Sequence, residues 1–257
     1  MEKSIKDYNP SQEPKEIREV LEYWFNGNRQ IPTKREMNMW FYRSKDYDDE
    51  IREKFLELHT NLDPKKYNKT LAGLLAIVVI YDQLSRHIYR NTRFSFENDK
   101  KALKITKKFI EDYNINNSEI LEEIILSSEY EFHIKHFLFM MMPLQHSEEM
   151  ADQMIFKNIW DKMHKILRNK INQQIEDKTK INKSKIQISN ISKNDNRIIY
   201  KKYEKIEKFI NNVLGHSEGH INRLKQFGRF PKRNEVLERK NTQEEENFLK
   251  SNKNGHY

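Results

Sequence analysis

The chain has 257 residues and not one cysteine. That excludes a disulfide framework, a thiolate nucleophile and a thiolate metal site, and it is compatible with a reducing compartment. Glycine and proline are scarce, at six each. An all-β fold of this length needs many tight turns and the residues that make them, so the scarcity favours long helices. Long apolar runs are also missing. The longest continuous stretch, from Leu74 to Tyr81, falls well short of the ~20 residues that cross a bilayer. The segment from Met1 to Pro10 carries no apolar stretch of the signal-peptide kind. Hydrophobic residues make up 36% of the chain and mean hydropathy is −0.97, yet the length suffices to bury a core. The expectation is a soluble, cytoplasmic protein.

The net charge is +8, and its distribution matters more than its size. Between Arg168 and Lys202 stand ten Lys/Arg and three Asp/Glu, a surplus of seven that leaves the rest of the chain at +1. This segment has no RNP, zinc or helix-turn-helix signature and few interleaved aromatic residues, which argues against nucleic-acid recognition. After Leu167 the composition turns to Lys, Asn, Ile, Ser and Gln, and Ser184 to Asn196 shows no consistent period. Residues 168–200 therefore read as a loose polar insertion. It interrupts a single helical domain over 16–251, with a polar extension at 1–15 and a loose tail at 252–257.

Apolar spacing supports about nine helices and no strand. A first stripe begins near Glu16, takes in Val20, Leu21, Trp24 and Phe25, and stops at Asn26-Gly27. Met37, Trp40 and Phe41 mark a short second helix, and Ile51, Phe55 and Leu58 mark a third. Leu71 to Leu84 is apolar almost all round, the pattern of a buried central helix. Further stripes follow at Ala102–Ile110, Ile120–Ile125 and Phe132–Met142, the last ending at Pro143. Ser147 reads as an N-cap with Glu148 and Glu149 in the first turn. A helix from Tyr200 to Val213 is interrupted at Gly215 and Gly219, and Thr242-Gln243-Glu244-Glu245 has the form of a capping box for a closing helix.

Three polar patches carry the candidate chemistry. Asp82 and Arg86 stand at i, i+4 at the end of the apolar helix with Arg90 beyond them, a pair of planar guanidinium forks suited to carboxylate or phosphate. The alternative is an ion pair that closes the helix. His146 precedes Ser147 and Glu148 after the Pro143 break, where it could serve as general acid or base or satisfy local backbone. Glu148 and Asp152, His133 and His136 with His146, and His216 and His220 have spacings that metal sites use, but none forms a recognisable motif, and no metal or cofactor is expected. The third patch is Phe227-Gly228-Arg229-Phe230-Pro231-Lys232-Arg233-Asn234, an irregular loop that either holds an anion or pins the last helix.

Taken in order, several segments resemble the domain-of-unknown-function 924 family. They are Val20-Leu21-Glu22-Tyr23-Trp24-Phe25, Trp40-Phe41, Asp82-Gln83 with Arg86, Ile88-Tyr89-Arg90 and Thr92, Pro143 with His146-Ser147-Glu148 and Ala151-Asp152-Gln153, then His220 with Phe227–Pro231 and Arg233-Asn234, and finally Thr242–Leu249. The resemblance covers roughly Val20–Leu249 except for 168–200. It implies an all-helical, TPR-like stack of antiparallel helix pairs and brings no established reaction. This chain departs from the family pattern at Ser85 (Pro), His87 (Asn), Asn91 (Gly), Gln145 (Glu), Gln226 (Arg) and Lys232 (His).

The expected site is one polar pocket on the concave side of that stack, built from Asp82, Arg86, Tyr89, Arg90, His146, Glu148, His220, Arg229 and Arg233. Arg86, Arg90, Arg229 and Arg233 would contact an anion, Asp82 and Glu148 would orient them, and His146 and His220 would donate hydrogen bonds. The leading reading is a binding module for a small anionic ligand or an acidic peptide. The alternatives are a hydrolase or lyase with His146 or His220 as general base, and a scaffold whose motif residues form a buried ion-pair network.

Overall fold

A computed structural model describes residues 3–27, 30–127, 131–184 and 192–252, with backbone alone for 175, 177–184 and 192–202. The described residues form helices and turns and no strand. In chain order they are α1 (Lys15–Phe25), α2 (Lys34–Phe41), α3 (Lys45–Thr60), α4 (Leu71–Val78), α5 (Ser85–Ile88), α6 (Asp99–Asp112), α7 (Ser118–Leu126), α8 (Ile134–His146), α9 (Met150–Ser184), α10 (Ser192–Phe227) and α11 (Gln243–Ser251). A π-helical segment, Val79–Leu84, joins α4 to α5 into one continuous central helix.

That central helix organises the core. Thr70 caps it, its hydroxyl accepting from Gly73 N at 3.0 Å. Gly73 is required by a close approach, because a Cβ there would lie 1.9 Å from the Tyr67 carbonyl oxygen. From Leu71 to Ile88 the helix is long and apolar enough to cross a membrane by length and composition, but it is mostly buried inside the protein. The π turn adds a residue to one turn and unsettles its carbonyls. Ser85 compensates: its Oγ donates to Tyr81 O at 2.8 Å and lies 2.8 Å from His59 Nε2.

The neighbouring helices pair antiparallel. Arg52 donates to Ile88 O while His59 reaches Ser85, so α3 runs against the central helix. Arg168 meets Glu207 and Gln174 meets Tyr203 across α9 and α10. Trp24, Trp40, Phe25 and Phe139 form an aromatic cluster between α1, α2 and α8. Beside it lies a fully buried clasp: Lys135 Nζ donates to Glu36 Oε1 at 2.8 Å and to the carbonyls of Phe25 and Gly27 at 2.7 and 2.8 Å. Every proton of that ammonium has an acceptor, which is what makes a buried charge tolerable.

Four local expectations are corrected. Pro143 does not end its helix: α8 continues through it to His146, because Met142, Leu144 and Gln145 are buried and later side chains take up the terminal carbonyls. Ser147 is not an N-cap. The chain first makes a turn, and α9 starts at Met150 with Asp152 N and Gln153 N donating to Glu149 O. Gly215 and Gly219 do not interrupt α10, which runs to Phe227. Helical backbone also covers most of the region read as a loose insertion, to Ser184 and again from Ser192, while 185–191 lie outside the described residues. Gly228 then takes a left-handed φ of 69° and turns the chain out of α10.

Candidate functional site

The C-terminal end of α8 is where the sequence patches meet. A helix end leaves its last carbonyls without partners, and here three distant side chains supply them. Gln153 Nε2 donates to Leu144 O, Gln145 O and Ser147 O at 3.1, 2.7 and 2.7 Å. His220 Nδ1 donates to Gln145 O at 2.9 Å, and Arg233 Nη2 donates to His146 O at 2.9 Å. Gln153, His220 and Arg233 are thus brought together by one physical need.

Beneath this point the π segment sets Asp82 and Gln83 against α8. Asp82 is fully buried, and its Oδ1 and Oδ2 lie 2.7 and 2.9 Å from His146 Nδ1. It also accepts from Arg86 Nη2 at 3.2 Å and from Gln83 Nε2. Burial acts to raise its pKa, but His146 and Arg86 outweigh burial and hold it at about 2. For His146 burial wins: with Arg86 nearby it pushes the imidazole below its ordinary value despite Asp82. The resulting state is an ionised Asp82 accepting from the Nδ1–H of a neutral His146. No bond to His146 Nε2 occurs among the described residues, and that atom is not sealed in the interior.

Arg86 and Arg233 flank Phe96, with guanidinium carbons 5.1 and 4.7 Å from the ring centroid. They share Asp99, at 3.0 and 3.5 Å. Burial and the charge of Arg86 lower the pKa of Arg233 to about 10. Arg90 is held by Asp48, whose Oδ1 accepts from its Nη2 at 2.7 Å.

These residues open onto a cleft of about 330 Å³. Its apolar surface comes from Trp40, Phe41, Leu138, Met142, Phe209, Val213 and Phe230, and its polar surface includes Gln83, Gln145, His146, His216 and His220. Among the described residues six cationic side chains line it, Arg43, Arg86, Arg90, Arg223, Lys232 and Arg233, and no Asp or Glu does. The acids that balance Arg86, Arg90 and Arg233 lie behind the wall. Arg223 has no such acid: among the described residues it makes no ion pair or hydrogen bond, and burial alone lowers its pKa. Burial lowers that of Lys232 as well, with Arg223 and Arg43 adding repulsion.

Of the expected site residues, Arg86, Arg90, His146, His220 and Arg233 line this cleft, and Asp82 supports it from below. Tyr89, Glu148 and Arg229 do not line it. Tyr89 OH is directed to His59 Nδ1 at 3.4 Å. Glu148 accepts from Phe230 N at 2.8 Å and from Arg239 Nη1 and Nη2 at 2.6 and 3.0 Å, so it orients Arg239 and none of the four expected arginines. Arg229 forms a two-point pair with Glu245 at 2.6 and 2.7 Å, and the capping box of Thr242 and Glu245 opens α11. The Arg229 loop therefore pins the last helix. His133 and His136 sit at the far end of α8, where His136 Nδ1 accepts from His133 N at 3.0 Å. No group of three or more potential metal ligands converges among the described residues.

Arg43, Gln83, Gln145 and Arg223 were not among the expected pocket residues, and Lys232 entered only as part of the 227–234 loop. Arg223 had a signal: Val213, His216, His220 and Arg223 recur at i, i+3, i+7 and i+10, one face of a helix once Gly215 and Gly219 are allowed within it.

The order of these features along the chain is that of a family. Residues 20–253 match the model for bacterial proteins of unknown function termed DUF924. The chain belongs to this family. A solved structure with a similar fold is that of a protein of unknown function from Agrobacterium tumefaciens. The two share 17% identity with a TM-score of 0.57, over 91% of this chain and 97% of that one. At that identity the likeness concerns fold alone. A search among curated proteins gave no match.

Proposed function

We propose that this DUF924 protein is a binding module for a small organic anion, held in the cleft between α8, α10 and the 229–234 loop. The observation that carries the reading is the composition of the wall: among the described residues, six cationic side chains and no carboxylate, with Arg223 half-buried and unpaired. A guanidinium stripped of part of its water and given no counter-ion is poised to gain one. The aromatic and aliphatic surface beside it suits a ligand with an apolar body. The volume is in the range of small-molecule sites, which favours a metabolite-sized anion over an acidic peptide. A cytoplasmic location and the absence of a cofactor remain part of this reading.

A second reading, general-base catalysis, is favoured by one feature. Asp82 fixes Nδ1–H of a neutral His146, leaving Nε2 as the basic atom beside the cleft. A purely structural ion-pair network accounts for Arg86, Arg90 and Arg229 but leaves Arg223 without a purpose.

The test is a thermal-shift screen of carboxylates and phosphate monoesters on the wild type and on Arg223→Ala, followed by calorimetry. Anions that stabilise the wild type should bind the variant about tenfold more weakly or worse. If no anion raises Tm, or if Arg223→Ala responds as the wild type does, the reading fails.

A further inference from the structure

Two polar groups in the cleft have no assignment in an account based on charge. Gln145 is almost fully buried, and its side-chain Nε2 is sealed from solvent with no hydrogen-bond partner. Its Oε1 makes no bond among the described residues either, but that end of the carboxamide is not sealed. A sealed N–H without a partner is destabilising, and a well-packed leucine at that position would avoid the cost. Next to it in the chain, His146 presents Nε2 with its tautomer set by Asp82. The carboxamide can donate and the imidazole nitrogen can accept.

These groups and the unpaired cation answer to different surroundings. His146 senses Arg86, Asp82 and Asp99, where positive and negative charges are balanced. Lys232 senses burial and the charges of Arg223 and Arg43. The cleft thus has a cationic part and a neutral hydrogen-bonding part with apolar side chains in the same wall.

We infer that Gln145 and His146 form a hydroxyl-recognising subsite, so that the ligand is a hydroxylated apolar anion with its hydroxyl remote from its charge. The ligand O–H donates to His146 Nε2, and the same oxygen accepts from the Gln145 carboxamide, which turns over to bring its N–H end to the open side now held by Oε1. The anion lies against Arg223. This rests on the anion-binding reading above and specifies which anions the site selects.

The probes are matched aryl carboxylates, 4-hydroxybenzoate against 4-methylbenzoate and the corresponding arylacetate and arylpropionate pairs, which vary the span. Affinities are measured by calorimetry on the wild type, Gln145→Leu and Arg223→Ala. For at least one span the wild type should favour the hydroxyl probe by about tenfold or more, as polar groups built for a hydroxyl reject its absence. Gln145→Leu should bring the two probes within about twofold of each other. The variant should unfold at the same or a higher urea concentration than the wild type, because the group it removes is unsatisfied. A Gln145 that merely supports the fold would instead lower the midpoint. Equal affinities for both probes in the wild type, or a preference that survives Gln145→Leu, overturn this inference and leave anion binding standing. If no carboxylate binds at all, both readings fall.

Discussion

Asp82 holds His146 through both carboxylate oxygens, 2.7 and 2.9 Å from Nδ1, while the same carboxylate accepts a hydrogen bond from Arg86. The contact joins the central helix to the end of α8 across 64 positions of chain, and it fixes the edge of the imidazole that faces the cleft. It also ties stability to pH. The Asp82 carboxyl titrates at 3.8 when unperturbed and at about 2 in the folded protein. As pH falls, the unfolded chain takes up this proton first. The stabilisation is complete above about pH 4 and is lost as the pH drops toward 2, an effect of about 2 kcal/mol. Asp82→Asn should lower the unfolding free energy at pH 7 by about 2–4 kcal/mol, because Arg86 and His146 lose a buried partner. The gap between wild type and variant should close as urea melts are moved from pH 5 to pH 3. A gap that stays constant over that range would show that Asp82 is not the titrating group.

Arg229 separates the loop's two possible roles. Its guanidinium is engaged by Glu245 and by the Lys240 carbonyl, outside the main cleft. Arg229→Ala should lower the urea midpoint, since it leaves a buried Glu245 with the backbone amide of Thr242 and the Asn234 side chain as its remaining partners. Ligand affinity at the cleft should be unchanged. A loss of anion affinity matching that of Arg223→Ala would place Arg229 in the site after all.

How much of this was legible in the sequence depends on the range of the interaction. Patterns that a helix writes along itself were readable. Ile51 and Phe55 are buried at the expected spacing, Asp82 pairs with Arg86 at i+4, and Thr242 and Glu245 form their capping box. Interactions that close over long separations were not. Nothing local says that Glu148 will choose Arg239, 91 positions away, or that His220 and Arg233 will satisfy the carbonyls of Gln145 and His146 at the end of α8. The same limit misled the reading of glycine: Gly215 and Gly219 have low helix propensity, but the packing of α10 on α9 overrides it. The charge count also pointed elsewhere. A nearly neutral body can still carry a cationic wall when its acids lie behind the arginines, as Asp48, Asp82 and Asp99 do.

The buried clasp of Lys135 and Glu36 is predicted to be necessary only as a pair. Both side chains are fully buried, so removing one strands the other. Lys135→Met should cost about 3–5 kcal/mol, whereas Lys135→Met with Glu36→Leu should recover most of that loss. Chemical denaturation of the two variants measures the difference. A double variant as unstable as the single one would show that the carbonyls of Phe25 and Gly27, and the Thr33 amide that Glu36 also accepts, dominate over the charge pair.

Gly215 and Gly219 offer the last test, because they sit in the same helix and differ in what surrounds them. A Cβ at Gly215 would meet nothing within 4 Å, so Gly215→Ala should raise stability by about 0.5–1 kcal/mol through helix propensity alone. A Cβ at Gly219 would meet the Arg223 guanidinium at 3.7 and 3.8 Å, ordinary contact distances. Gly219→Ala should therefore stabilise the helix by a similar amount while narrowing the space in which Arg223 can move. If Arg223 holds the ligand's charge, anion affinity should respond to Gly219→Ala and not to Gly215→Ala. Calorimetry with 4-hydroxybenzoate on the two variants decides it, and equal affinities in both would mean that Arg223 does not move to take up its anion.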